Sequence, residues 1–306
     1  MAKFSPNMRG ILALVCAMAF FVGNDSAMKL VGTSLPLTQT IFVRGLLASC
    51  FCLAAILLRG ESASLRQITR PLVLVRASTE IIGSFTFLAA LQMMPISDVT
   101  AIEQIVPLLL TAFAALVLGE RIAVSRIFAI CIGFAGALLI AAPTGQVSTG
   151  AWLAFATAMA VTARDLIGRR LGHSVSPLVT TLAGTLTVGL AALASSFVPA
   201  FGQHWFDLSL AQLGLLVLAS ILLSCAYVGM IVAMRQGQVQ ALAPFYYSQT
   251  IFALLASQFV FGDVLTLQAM LGTALVVAAG LFVIMPWPRQ FAAAKIPVDL
   301  SLVPHE

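Results

Sequence analysis

Residues 12–37 read LALVCAMAFFVGNDSAMKLVGTSLPL, and residues 153–178 read LAFATAMAVTARDLIGRRLGHSVSPL. A shift of 141 residues aligns the two stretches without a gap, across an apolar helix and the turn that follows it. Pro36 then falls on Pro177, and Lys29 falls on Arg170. Apolar residues match by chance often, so the aligned turn prolines carry most of the weight. The sequence therefore predicts an internal repeat.

A shift of 143 residues aligns the later parts of the two repeats. Gly119-Glu120 then falls on Gly262-Asp263, and Pro143 falls on Pro286. The residues after Pro286 are polar enough to be solvated, which is typical of a disordered tail. We therefore expect two related units and a cytoplasmic tail, with boundaries at 1–145, 146–288 and 289–306.

The composition is that of a membrane protein. Of 306 residues, 60% are hydrophobic and 9% are charged, whereas a soluble domain carries about 25% charged residues. The five cysteines all fall inside apolar runs, so a disulfide framework is not expected. The isoelectric point near 9.2 does not indicate nucleic acid, because basic residues stand one or two at a time between apolar runs.

The apolar runs predict ten helices, each near the length of about 20 residues that spans a bilayer. An odd number of five helices per half would insert the second half upside down, as an inverted repeat. Transporters are often built this way, with the substrate site near the bilayer midplane. The predicted fold is thus an all-α integral membrane protein of ten transmembrane helices in two inverted five-helix repeats, with helix cores at 10–31, 36–58, 71–93, 97–118, 123–142, 149–169, 176–199, 209–234, 239–261 and 265–286.

Lysine and arginine predict the orientation. With the N-terminus in the cytoplasm, Lys29 alone lies near the opposite side, which fits the positive-inside rule. Both termini are then cytoplasmic. Ala17-Met18-Ala19 resembles a signal-peptide cleavage site, but the same segment recurs in the second half, so a helix is favoured. The residues placed on the cytoplasmic side are Lys3, Arg9, Arg59, Arg66, Arg70, Arg121, Arg126, Arg169, Arg170, Arg235, Arg289 and Lys295.

Two sequence motifs resemble a known family. Ile41-Phe42-Val43-Arg44-Gly45 is similar to an F-x-R motif, and Pro107 with Gly119-Glu120 and Gly133 to Gly136 is similar to a P…GE…G pattern. With ten helices and an inverted repeat, the chain resembles EamA-type transporters of the drug/metabolite transporter superfamily over nearly its whole length. The second half departs from the pattern at Thr250 and Asp263.

The resemblance implies a carrier with a central cavity, located as a multi-pass protein in a bacterial cytoplasmic (inner) membrane. Substrates in such a family include amino acids, nucleotide sugars, vitamins and other metabolites. We expect alternating access, with proton coupling as an added hypothesis, and a small-molecule substrate and membrane lipids as partners. Nucleic acid is not expected, a homodimer is left open, and no cofactor or metal is predicted.

Polar residues inside helices mark the candidate substrate site, because a charged side chain at bilayer depth costs about 2.5–3.5 kcal/mol on insertion scales. Glu103 and Gln104 superpose on Tyr246 and Tyr247 under the 143-residue shift. We predict that these four residues bind the substrate across one cavity, with Arg44 nearby as an anion hook. The alternatives are tyrosines at the membrane interface and an Arg44 that locks helices through a salt bridge.

Glu80, Asp25 and Arg76 form a second candidate group, for proton coupling or a charge network. Arg76 and Glu80 are four residues apart and share a helix face, although Arg76 could instead reach the cytoplasmic interface. Asp25 could equally pair with Lys29, four residues on. The other polar and small residues are expected to be structural: Arg164-Asp165 as a surface pair, Glu120 and Asp263 as turn anchors, and Gly133 and Gly136 as close-packing positions.

Two rival classes are less favoured. An intramembrane enzyme lacks support, because the chain has no H-E-x-x-H or G-x-S-x-G motif and no two of its three histidines stand at ligand spacing. A non-transporting scaffold or lipid-handling protein is the other alternative. Intramembrane Arg44, Glu80 and Glu103 argue against a purely structural bundle.

Overall fold

The computed structural model describes residues 6–118, 124–142, 145–171, 175–198, 204–236 and 242–284. Within these ranges the fold is all-helical, with no β-strand. The predicted turn anchor Glu120 and the predicted tail 289–306 lie outside the described residues. The helices are α1 (Pro6–Gly32), α2 (Leu37–Leu58), α3 (Pro71–Met93), α4 (Ile96–Glu103), α5 (Val106–Leu118), α6 (Val124–Ala141), α7 (Thr149–Leu171), α8 (Pro177–Ser196), α9 (Leu210–Gln236), α10 (Ser248–Ala256) and α11 (Leu267–Ile284).

Eight described segments are long and apolar enough to cross a membrane, one of which, Ile96–Phe113, runs through the junction of α4 and α5. α7 is long enough but falls short in hydropathy, because Arg164 and Asp165 lie in its second half. The segment 242–261 is divided into shorter pieces. The ten-helix count therefore stays a prediction.

The predicted fourth helix, 97–118, is interrupted, which corrects the expectation of one continuous helix. α4 ends at Glu103, and α5 begins at Val106. Pro107 explains the break: it has no backbone N–H, so it cannot bond to the carbonyl of Glu103 one turn earlier. The backbone N–H of Ile105 bonds instead to the carbonyl of Ile102, three residues back.

The predicted ninth helix, 239–261, is interrupted as well. A 3₁₀ turn over Ala243–Tyr247 precedes α10, and a π turn over Ser257–Phe261 follows it. Pro244 stands in the 3₁₀ turn, where its fixed φ and missing N–H are tolerated. Under the 143-residue shift, the end of α4 and the end of this 3₁₀ turn are equivalent positions. Both halves thus interrupt the same predicted helix at the same place.

The packing of the helices follows a two-fold pattern. α1 packs along α9 and α3 along α7, and exchanging the two halves turns the first pair into the second. The pairs α2 with α8, α4 with α10 and α6 with α11 each join equivalent helices of the two halves. α4 is buried at Ile96, Ser97 and Val99 to Ile102, so it lies at the centre of the bundle. The long outer helices expose large apolar side chains, as lipid-facing helices do.

Glycines let two of these pairs approach closely. A Cβ on Gly45 would lie 3.0 Å from the Cα of Gly189 on α8. A Cβ on Gly136 would lie 2.7 Å from the carbonyl oxygen of Gly272 on α11. The prediction that Gly136 permits close packing is therefore confirmed, and Gly45 in the F-x-R segment has the same role.

Polar contacts join neighbouring segments at each end of the bundle. The side-chain amide of Gln39 donates to the carbonyl of Phe206 at 2.6 Å and accepts from its N–H at 3.1 Å. At the other end, Ser176 donates to the Glu61 carboxylate at 3.1 Å, next to the 3₁₀ turn Ser62–Thr69. Residues 204–209 and this turn therefore lie at opposite ends of α2.

Candidate functional site

A central cavity of about 140 Å³ lies between the two halves, lined by residues of α1, α2, α3, α4, α8, α9 and α10. This volume is below the roughly 300–1,000 Å³ of pockets that enclose drug-sized ligands, so a whole metabolite needs a wider cavity than this conformation offers. Its polar and charged lining includes Asp25, Arg44, Glu80, Glu103, Tyr227 and Gln249.

Asp25 is buried on α1 and lines the cavity. Its carboxylate accepts a hydrogen bond of 2.8 Å from the side-chain amide of Asn24. The other side of that amide, the Asn24 Oδ1 atom, is buried without a hydrogen-bond partner. Asp25 therefore has a neutral partner where a buried carboxylate is usually paired with a cation.

Lys29 does not pair with Asp25, so that alternative was wrong. Its ammonium donates to the backbone carbonyl of Met94 at 2.8 Å and lies 4.9 Å from the ring centre of Phe261. The end of α3 exposes that carbonyl because the helix has no further turn to bond it. Lys29 thus joins α1 to the ends of α3 and of the π turn, and leaves Asp25 to the cavity.

Arg44 lies on α2 and lines the same cavity as Asp25, Glu80 and Glu103. Its Nε atom is buried with no hydrogen-bond partner, and among the described residues no carboxylate lies within 4 Å of it. The predicted alternative of a salt bridge that locks helices is therefore not formed in this structure. The buried Nε atom thus lacks a hydrogen-bond partner inside the bundle, which favours a role of Arg44 toward a solute.

Glu80 belongs to a charge network between α3 and α7. Its carboxylate lies 3.4 Å from Arg76 and 3.7 Å from Arg164, which in turn donates to Asp165 at 2.9 Å. The predicted Arg76–Glu80 pair is confirmed. The interpretation of Arg164-Asp165 as a surface pair was wrong for Arg164, because its side chain is mostly buried and reaches across to α3.

Glu103 is the last residue of α4 and faces the cavity. Within the described part of the chain, its carboxylate has no ion pair and no hydrogen bond. The interruption after Glu103 leaves this residue at a helix end instead of inside a continuous helix. Among the predicted substrate-binding residues, the structure therefore brings Glu103 and Arg44 together at one cavity.

Gln104, Tyr246 and Tyr247 are not among the described residues that line this cavity. The Tyr246 hydroxyl donates to the Met230 sulfur at 3.2 Å, so its ring lies against α9. Tyr247 is buried, and its ring fills the space above Gly280 on α11. Their role in binding stays a prediction, and the cavity is not where the structure places them.

Tyr227 and Gln249 line the cavity but were not among the predicted site residues. Tyr227 lies on α9, and its ring meets that of Phe21 edge-on with centres 5.5 Å apart. The sequence does mark both residues as polar groups inside apolar runs, but it gave no reason to assign them to the substrate site. Sequence position alone did not show that they face the same space as Glu103.

Asp263 anchors the turn that follows the π segment. It accepts a hydrogen bond of 2.6 Å from Ser257, whose hydroxyl accepts one of 3.2 Å from Ser97. These contacts close the turn after the π segment and join it to α4. The predicted turn-anchor role of Asp263 is confirmed.

Comparison with known proteins gives a consistent result. The model of the EamA-like transporter family matches residues 8–142 and again residues 148–285. Proteins described as S-adenosylmethionine uptake transporters match 90% of the chain at 22% identity, and the matches cover 91% of the Rickettsia bellii protein, 92% of that of Rickettsia prowazekii and 90% of that of Rickettsia conorii. A solved crystal structure overlays on 90% of the chain and 96% of its own, with a TM-score of 0.63 at 19% identity, which shows the fold.

Proposed function

The chain belongs to the EamA-like transporter family, and from this premise we propose that it carries a small organic metabolite through the central cavity by alternating access. It is a multi-pass membrane protein and a metabolite transporter of the drug/metabolite type. The observation that carries the proposal is the cavity, which presents Arg44 and Glu103 without partners among the described residues. Charged groups so placed are kept for a ligand or a function.

The two-fold packing supports the alternating-access part of the proposal. In such carriers the two inverted repeats exchange their conformations, and the site between them then opens to the other side of the membrane. The matched interruptions at Glu103 and at Tyr247 lie next to the helix ends where such proteins bind solutes. The proposed halves are residues 1–145 and 146–288, with ten spans in total.

S-adenosylmethionine is the first candidate substrate. It is the compound in the names of the four relatives, and they match nine-tenths of this chain. At 22% identity the cavity residues need not be the same, so related amino-acid and nucleoside compounds belong in the same screen. The direction proposed is uptake, which is also taken from those names.

For localisation we propose a bacterial inner membrane with both termini in the cytoplasm. The 3₁₀ turn Ser62–Thr69 and its flanks carry Arg59, Arg66 and Arg70, and this is the end of the bundle where α1 begins. The opposite end holds few basic residues. This asymmetry supports the orientation through the positive-inside rule.

For coupling we propose Glu103 as the group that takes up a proton during the cycle. Glu80 was the other candidate, but the guanidinium groups of Arg76 and Arg164 lie within 4 Å of its carboxylate, which is therefore engaged in ion pairs. Glu103 has no such partner within the described residues. A group that exchanges a proton must be able to exist as the acid and as the carboxylate. Glu103 has no ion pair among the described residues that would have to break for this exchange, whereas Glu80 has two.

Uptake into proteoliposomes tests the proposal. Purified protein is reconstituted, and accumulation of radiolabelled S-adenosylmethionine, amino acids, nucleosides and vitamins is measured with and without an imposed pH gradient. We expect saturable uptake of at least one compound, and loss of that uptake in Arg44→Gln at equal protein insertion. If no compound enters faster than into protein-free liposomes, in either gradient direction, metabolite transport is the wrong assignment.

A further inference from the structure

The charged groups around the cavity divide into compensated and uncompensated ones. Glu80 is compensated, because Arg76 and Arg164 lie 3.4 and 3.7 Å from its carboxylate. Arg164 also binds Asp165, so these four residues form a network with no net charge to offer. The network therefore contributes no net charge to the binding of a solute in the cavity.

Three charged side chains remain. Arg44 has a buried Nε without a hydrogen-bond partner, Asp25 is bonded only by the neutral amide of Asn24, and Glu103 has no ion pair among the described residues. They come from α2, α1 and the end of α4, so they face the cavity from three sides. In their ionised forms they leave the cavity with one positive and two negative charges.

We infer that the solute carries an amino-acid head group together with a second cationic centre. Its carboxylate would bind Arg44, while its ammonium and its second cation would be divided between Asp25 and Glu103. A simple cation would leave Arg44 unpaired, and a neutral zwitterion would leave one carboxylate unpaired. An unpaired charge in an apolar surrounding is strongly unfavourable, so the matched solute is the one with charges +, + and −.

Aromatic side chains support the second cationic centre. Phe21, Phe87 and Tyr227 line the cavity, and the Phe21 and Tyr227 rings meet edge-on. The face of an aromatic ring attracts alkylated cations, which are weakly hydrated. The same rings offer flat apolar surface for a planar group attached to the head group.

This inference rests on the proposed function, since it names the substrate class of the same cavity. S-adenosylmethionine fits the class, because it has a carboxylate, an ammonium and a sulfonium. Lysine and arginine fit it too, because their side-chain cation replaces the sulfonium. The shared chemistry is the charge pattern, and the ligands below separate these sources.

The test compares ligands that differ by one charge, using purified protein in detergent and calorimetric titration. S-adenosylhomocysteine lacks only the methyl group and positive charge of S-adenosylmethionine, and 5′-methylthioadenosine lacks both the sulfonium charge and the head group. We expect S-adenosylmethionine to bind roughly tenfold or more tightly than S-adenosylhomocysteine, the size of one charge-assisted contact. Tight binding of lysine or arginine, with weak binding of S-adenosylmethionine and S-adenosylhomocysteine, would show that the second cationic centre is a side-chain ammonium or guanidinium.

Three variants locate the contacts. Arg44→Gln should weaken the two head-group ligands by a similar factor and leave 5′-methylthioadenosine unchanged. Asp25→Asn or Glu103→Gln, whichever residue meets the second cation, should lower the preference for S-adenosylmethionine over S-adenosylhomocysteine toward one. Asp207→Asn is the matched control, because it makes the same change of charge at an exposed position outside the cavity.

The outcomes separate this inference from the proposed function. If an uncharged or anionic metabolite binds best and still depends on Arg44 or Glu103, transport through the cavity stands and the charge pattern is wrong. If S-adenosylhomocysteine binds as tightly as S-adenosylmethionine, and lysine and arginine do not bind, the second cation is wrong. Equal losses in Asp207→Asn and Asp25→Asn would also overturn the inference, because the effect would not belong to the cavity.

Discussion

Arg164 on α7 and Glu80 on α3 lie 3.7 Å apart, across the long contact between these two helices. Arg76, one turn before Glu80, lies 3.4 Å from the same carboxylate. Glu80 is thus held from its own helix and from the neighbouring one. All three side chains are mostly buried, and with Asp165 bonded to Arg164 the two cations are balanced by two carboxylates.

Glu80→Gln should destabilise the protein. The variant leaves two mostly buried arginines with only Asp165 as a counter-charge, and the expected loss is about 1–3 kcal/mol, between exposed and buried ion pairs. Thermal unfolding in detergent measures it. The double variant Glu80→Gln with Arg76→Gln should recover part of the loss, because it removes the unpaired cation while Arg164 keeps Asp165. A single variant as stable as the parent would show that the network does not hold α3 and α7 together.

Gly136→Ala should weaken the contact between α6 and α11. The added Cβ would lie 2.7 Å from the carbonyl oxygen of Gly272 and 2.8 Å from the Cβ of Leu275, so the helices must move apart. Overpacking of this kind costs about 1–3 kcal/mol. Gly214→Ala on α9 is the control, since nothing lies within 4 Å of its added Cβ. If both variants melt at the same temperature, the close approach is not required.

Tyr247→Phe should raise the stability by about 1 kcal/mol. The Tyr247 hydroxyl is buried without a hydrogen-bond partner, and a buried polar group in that state is unfavourable by about 1–3 kcal/mol. Tyr247→Ala should lower the stability by about 3–5 kcal/mol, because it empties the space beside Gly280. Tyr246→Phe serves as the comparison, since its hydroxyl has Met230 as a partner. A Tyr247→Phe variant that unfolds more easily and binds solute more weakly would place that hydroxyl in the binding site.

Glu103→Gln should flatten the pH profile of transport. In the parent, protonation removes the negative charge that a cationic solute needs, so solute binding weakens as the pH falls. The titratable and charged groups that share the cavity with Glu103 are Asp25, Arg44, Glu80 and Tyr227, and Arg164 and Asp165 on α7 also act on it electrostatically. Glu80→Gln should keep the parental pH profile, because the Glu80 carboxylate is engaged by two arginines and not by the solute. A normal profile in Glu103→Gln would exclude this residue, and Asp25→Asn would then be measured.

Single cysteines at Ser62 and Asp207 should be labelled from opposite sides of the membrane. Both positions are exposed, and they lie at opposite ends of α2. A membrane-impermeant thiol reagent added to intact cells, in a background without the five native cysteines, should reach Asp207→Cys and not Ser62→Cys. Labelling of Ser62→Cys from outside would reverse the proposed orientation, and labelling of both from one side would contradict the helix order.

The sequence predicted helix positions well, because apolar runs and turn prolines mark them directly. Pro36, Pro71 and Pro177 stand at or next to helix starts, and the α2 and α8 starts are equivalent in the two halves. The Arg76–Glu80 pair was also predictable, since four residues along one helix bring two side chains together. The contact of Arg164 with Glu80 was not, because it depends on how two distant helices are rotated against each other.

The tyrosines show the same limit more sharply. The 143-residue shift aligns Tyr246 and Tyr247 with Glu103 and Gln104. It could not give their direction, because Ala243–Tyr247 is a 3₁₀ turn while Glu103 ends an α-helix. A 3₁₀ turn advances by 3.0 residues per turn instead of 3.6, so equivalent residues point in different directions. Repeat symmetry in a sequence therefore does not give the direction of a side chain where the two halves differ in helix type.

The small volume of the cavity has a consequence for selectivity. The cavity of about 140 Å³ in this conformation has no room for a metabolite with its hydration shell, so enclosing a solute requires that the cavity widen and that water leave the charged groups of the solute. The polar side chains of the lining must then replace that water, and they include Arg44, Asp25, Glu103, Ser84 and Thr185. Solutes whose charges find no such replacement are rejected by their own hydration energy, without any steric clash.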